Sequence, residues 1–93
     1  SNEPGFYAAG RFGIRIENLQ YVTAAKRSKN QRPMHGFEPL TLAPIDRRLI
    51  DVAQLTIDER AWLNAYHARV LKTISPRIPA AAGKWLKRAC APL

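Results

Sequence analysis

The feature that most constrains this chain is a helix start. Thr56-Ile57-Asp58-Glu59 is a capping box. The Thr56 hydroxyl can accept from the Glu59 amide while the Glu59 carboxylate reaches back to the Thr56 amide. Behind it, Trp62, Tyr66 and Val70 recur every four residues, with Ala65 and Ile74 extending the stripe. That spacing predicts one apolar helix face. The helix is expected to run to about Ile74, where Ser75-Pro76 ends it. Such a stripe reads as a packing seam rather than a cofactor site, and His67 beside it reads as a packed or surface helix histidine. A last short helix, about Ala80 to Ala89, presents Trp85 and Leu86.

Upstream the pattern changes. Residues 1–25 read as a hairpin. Phe6 and Tyr7 belong to a short first strand, Ala8-Ala9-Gly10 to the turn, and Phe12 to Thr23 to a second strand rich in Ile, Tyr and Val. Residues 26–36 (KRSKNQRPMHG) read as a polar surface connection. His35 lies there without a second ligand at metal spacing. Residues 37–45 (FEPLTLAPI) read as one more strand, which Pro39 and Pro44 confine to a sheet edge or to its ends. Glu38 is expected to be exposed or hydrogen-bonded on that strand. The fold class is therefore α+β, an antiparallel hairpin and an extra strand followed by helices, divided at 1–25, 26–36 and 37–93.

Composition limits the alternatives. Ninety-three residues make one small domain at most, able to bury roughly 60–65% of its unfolded surface. At 46% hydrophobic and 24% charged, wholesale disorder is not expected. No apolar run approaches the ~20 residues of a membrane span, and there is no signal-peptide pattern. The chain does not start with Met, and Ser1 reads as a trimmed start. Cys90, the one cysteine, has no internal disulfide partner. It reads as an inert, at least half-buried thiol in a reducing compartment, hence a cytoplasmic protein. The net charge is +8, with basic groups at Lys26–Arg32, Arg47-Arg48 and Lys84–Arg88. Trp85 is the one aromatic among them, where a single-strand groove would want several, and zinc spacing and RNP-like runs are absent, which argues against nucleic acid as the partner.

Two carboxylates stand out. On a strand, Ile14 and Ile16 point one way and Arg15 and Glu17 the other, with Cα atoms ~6.5 Å apart within each pair. This is either a half-buried salt bridge facing solvent or a rigid metal-binding carboxylate with an arginine behind it. Glu3 precedes the bend at Pro4-Gly5, and the hairpin returns toward it. Antiparallel strands lie ~4.8 Å apart, so Glu3 and Glu17 could face one another across the ladder. Two like charges that close repel unless a proton or a cation lies between them.

S-N-E-P-G-F-Y followed by G-I-R-I-E-N resembles the last two metal-ligand segments of the aminopeptidase P branch of the pita-bread (M24) metallopeptidases. F-E-P-L-T-L-A-P-I-D-R-R-L-I-D, then W-L-N-A-Y-H-A-R-V, then A-P-L, resembles the C-terminal module of the long, three-domain Xaa-Pro aminopeptidases. The resemblance covers nearly the whole chain. It implies that residues 1–25 end a catalytic pita-bread domain and 37–93 form the C-terminal module. It also implies an enzyme that removes the N-terminal residue from peptides with proline second, using two divalent ions, commonly manganese. Carried over, Glu3 would be a metal ligand and proton acceptor, Glu17 would bridge both metals, and Arg15 would orient the carboxylates. A prolyl bond lacks an N–H, so accepting it takes a specialised pocket.

The family pattern also has two Asp and one His ligand ahead of the Glu3 segment. Here only Ser1 and Asn2 precede it. Asp46, Asp51, Asp58, His35 and His67 lie downstream and are not recruited. The chain thus reads as the C-terminal fragment of a longer enzyme, inert alone and possessing no complete metal set. A hairpin cut from its sheet exposes unpaired edges, which predicts a homodimer or strand-exchanged oligomer. The competing readings are a metal-less pita-bread relative acting as a binding or chaperone module, and a basic nucleic-acid-binding domain.

Overall fold

The computed structural model describes residues 1–25 and 32–93. They form two compact units, Ser1–Thr41 and Leu42–Leu93, the first of β structure and the second helical.

The first unit holds β1 (Gly5–Ala8), β2 (Phe12–Arg15), β3 (Gln20–Ala24) and β4 (His35–Pro39). β1 pairs antiparallel with β2, Phe6 opposite Ile14 and Ala8 opposite Phe12. The Arg11 amide closes the turn onto the Ala8 carbonyl at 2.9 Å, and Gly10 takes φ 69° at its third position. A side chain there would meet its own backbone, so glycine suits the site. β3 pairs antiparallel with β4, Val22 opposite Phe37.

The run expected as one strand from Phe12 to Thr23 is two strands, because its halves have different partners. The Asn18 amide still bonds to Asn2, at 3.0 Å, whereas the Leu19 carbonyl accepts from Leu40 at 2.7 Å and its amide donates to the Thr41 hydroxyl at 2.9 Å. The later strand also differs from expectation. It begins at His35 and stops at Pro39, beyond which the proline-spaced run to Ile45 has no ladder. Within the polar connection, residues 26–31 lie outside the described residues.

In the second unit, Asp46 and Asp51 each cap a short 3₁₀ turn, at Arg47–Leu49 and Val52–Gln54. Helix α1 (Ile57–Ile74) opens on the capping box. Thr56 Oγ1 accepts from the Glu59 amide at 3.2 Å, and the Thr56 amide donates to Glu59 Oε2 at 2.8 Å. Helix α2 spans Ala80–Ala89. The core is Tyr66, Val70, Leu86 and Cys90, with Leu42, Ile45, Leu71, Ile74 and Ile78 packed against it. The buried face of α1 is Leu63, Tyr66, His67 and Val70. Trp62, expected on the stripe, is about half exposed and stacks flat on Tyr66, centroids 5.4 Å apart. Among the described residues no helix is long and apolar enough to cross a membrane.

Candidate functional site

Ladder register places the two carboxylates. Gly5 lies opposite Arg15, and the Asn2–Asn18 bridge continues the same register, so Glu3 stands opposite Glu17. Asn2 and Asn18 exchange both backbone bonds, at 2.8 and 3.0 Å. Pro4 has no N–H, so its carbonyl alone bonds, accepting from Ile16 at 3.0 Å. Between these two, Glu3 and Glu17 form a non-hydrogen-bonded pair. That is the arrangement in which facing Cα atoms approach to about 4.5 Å and side chains come closest.

The face they share is polar. By alternation along β1, Ser1, Glu3, Gly5 and Tyr7 lie on it, and along β2, Gly13, Arg15 and Glu17. Arg15 does not pair along its own strand with Glu17, the neighbour alternation suggests. Its Nη1 crosses the ladder to Glu3 Oε2 at 2.9 Å. The Ser1 hydroxyl donates to the other Glu3 oxygen, Oε1. The Ser1 hydrogen bond, and after it the Arg15 charge, hold the Glu3 carboxyl below its ordinary value, so it is ionised at neutral pH.

Tyr7 is the neighbour that sequence reasoning passed over. Its ring lies across two glycines. A Cβ on Gly13 would sit 2.7 Å from Tyr7 Cδ1, and one on Gly5 would sit 2.9 Å from the Tyr7 hydroxyl and 2.8 Å from Arg15 Cγ. Glycine on both strands therefore makes room for the phenol beside the Arg15 stem. The signal was present as Glu3, Gly5 and Tyr7 at period two.

The other titratable groups lie elsewhere. His35 is exposed at the start of β4, and Glu38 is exposed on the same strand. Cys90 is buried, and burial pushes its thiol up, as suits an inert core residue. His67 is fully buried in α1. Its Nε2 accepts from the Ile45 amide at 3.1 Å, which fixes the neutral tautomer with the proton on Nδ1. Burial, and then the Arg47 charge, push its pKa down.

Two facing carboxylates offer hard oxygens, the donors that suit magnesium, calcium or manganese. Octahedral coordination takes six donors, more than two carboxylates supply, and among the described residues no group of three or more His, Cys, Asp or Glu lies together. The donor set fits part of a carboxylate-rich centre.

The model of the C-terminal region of peptidase M24 matches residues 33–93. Over its full length the chain is 43% identical to a probable Xaa-Pro aminopeptidase P of Laccaria bicolor and 46% identical to one of Tuber melanosporum. It spans only 15% and 16% of those two proteins. Among solved structures it is similar to the X-prolyl aminopeptidase of Caenorhabditis elegans, described as a cytosolic enzyme with a di-nuclear active site. The TM-score there is 0.86 at 41% identity, over 98% of this chain and 15% of that one. With the family model covering well over half of its residues, the chain belongs to the family of the C-terminal region of peptidase M24.

Proposed function

We propose that this chain is the C-terminal part of a dinuclear-metal aminopeptidase that removes the residue preceding proline from peptide N-termini. The observation that carries the reading is the Glu3–Glu17 cross-strand pair, two carboxylates brought face to face by the ladder, with Arg15 engaging Glu3 alone. A shared cation would relieve their repulsion. Glu17 would bridge two ions and Glu3 would hold one. The chemistry such ions supply when bound is acidification of water and polarisation of the scissile carbonyl. Manganese is the metal we favour, since the donors are hard oxygens.

The residues of this chain divide the remaining work. Glu3, kept ionised by Ser1 and Arg15, takes the proton from the attacking water. Arg15 holds one Glu3 oxygen, which leaves the carboxylate a fixed orientation. The remaining ligands and most of the substrate pocket come from outside the described residues, so the chain alone is inert. The setting we propose is cytoplasmic, as for the nematode relative. A metal-less relative serving as a binding module would have no cation to relieve the repulsion of the two facing carboxylates.

The test uses a full-length protein carrying this sequence. Glu17→Gln should strip bound metal, read by elemental analysis, and abolish Xaa-Pro cleavage. Arg15→Ala should lower metal affinity or activity by about 10–100-fold. The 93-residue chain alone should cleave nothing. Full metal content and full activity in Glu17→Gln would end this reading.

A further inference from the structure

The second unit carries an open groove of about 620 Å³ between the Ala43–Arg48 segment and α2. Its walls are pinned. The Tyr66 hydroxyl donates to the Ala43 carbonyl at 2.8 Å, and His67 Nε2 receives the Ile45 amide. Arg47 donates to the Ala91 carbonyl at 2.7 Å and the Pro92 carbonyl at 3.1 Å, tying this segment to the chain beyond α2. The groove is therefore preorganised, which lowers the ordering cost of binding.

Its three arginines are in different states. Arg47 is committed to those carbonyls. Arg48 grips Asp46 through Nε and Nη2, the latter at 2.6 Å, so the one acidic group on the rim is already neutralised. Arg88 has no side-chain hydrogen bond or ion pair among the described residues, and it lines the groove one helical turn from Trp85. Trp85 is 55% exposed. The outer face of α2 adds Lys84 and Lys87, and the helix contains no acidic residue. A free guanidinium next to an exposed indole, on a cationic helix, is a receptor for a carboxylate with an apolar neighbour.

We propose that this groove binds an acidic peptide segment of another polypeptide, with an Asp or Glu carboxylate on Arg88 and the adjoining apolar side chain against Trp85. A second copy of the chain is a poor occupant of this groove, because, of its 7 acidic residues, Asp46, Asp51 and Glu59 are taken up as helix caps and Glu3 by Arg15. This inference is independent of the metal reading, since it uses no residue of the β unit.

The experiment is fluorescence anisotropy with a labelled peptide of alternating Glu and Leu against the full chain, beside the same peptide with every Glu replaced by Gln. The acidic peptide should bind at least about tenfold more tightly than its amide analogue. Arg88→Ala and Trp85→Ala should each weaken it about tenfold, the range of a Trp or Arg anchor. Lys72→Ala, the same charge change away from the groove, should leave it unchanged. Circular dichroism verifies that the variants keep their helices. Equal binding of acidic and amide peptides overturns the proposal, and does so without any variant. So does a Trp85→Ala chain that binds as before while heparin or an oligonucleotide binds as tightly as the peptide. That result would mean a plain polycationic surface.

Discussion

His67 is the residue whose chemistry depends most on its surroundings. In water an imidazole titrates near 6.5, whereas here the ring is shut away from solvent and its Nε2 is occupied as an acceptor. Protonation would set an N–H against the Ile45 N–H. Nδ1 has no hydrogen-bond partner among the described residues, so nothing there offsets the added charge. The folded-state pKa is depressed, so between it and 6.5 the unfolded chain binds more protons than the folded one. Stability is therefore full above 6.5 and falls as the pH drops through that window. Urea midpoints measured from pH 8 to pH 4 should show the decline. His67→Leu should remove this contribution to the pH dependence and cost about 1–3 kcal/mol at neutral pH, the penalty for a buried amide left without its acceptor. An unchanged midpoint across that range in the parent chain would contradict the depressed pKa of His67. The sequence placed His67 beside the apolar stripe, but the identity of its partner, 22 residues earlier, was not readable from any local pattern.

At the scale of elements, local chemistry was legible wherever it was self-contained. The capping box at Thr56–Glu59 forms as its spacing requires, since both partners lie within one turn. Thr56→Ala should lower stability by about 1 kcal/mol, detectable as a lower urea midpoint with an unchanged slope. Thr56 bonds, first from its backbone and then from its side chain, hold the Glu59 carboxyl below its ordinary value. That contribution is present at neutral pH and is lost as the pH falls through the depressed folded value. The strands were less legible. Ile, Tyr and Val from Phe12 to Thr23 announce an extended chain, but nothing local says that the backbone changes partners at Asn18 and Leu19. Strand limits depend on where the partner's donors and acceptors stop, and the partners here are distant in sequence. Likewise, the four-residue spacing in α1 found the helix but centred its buried face on Trp62 instead of Leu63 and His67.

For the whole molecule, apolar burial is uneven. The buried hydrophobic residues all lie in Leu42–Leu93, while the unit Ser1–Thr41 leaves Phe6, Phe12, Ile14, Ile16, Val22 and Phe37 exposed on two-stranded ribbons. Such ribbons are marginal alone and have open edges. We therefore expect the isolated chain to self-associate, as a dimer or by exchanging strands. Light scattering should give a mass that rises with concentration, and a monomer at high concentration would refute this. Taken by itself, the amino-acid sequence determined the α+β order, the helix start and stop, the turn at Gly10, and the two carboxylates worth watching. Each of these follows from interactions between near neighbours or from alternation along one strand. Only the tertiary structure decided that Glu3 stands opposite Glu17, that Arg15 reaches Glu3 across the ladder, and that His67 closes onto Ile45. Those are pairings between residues far apart in the chain, and register and packing, which a linear pattern does not contain, select them.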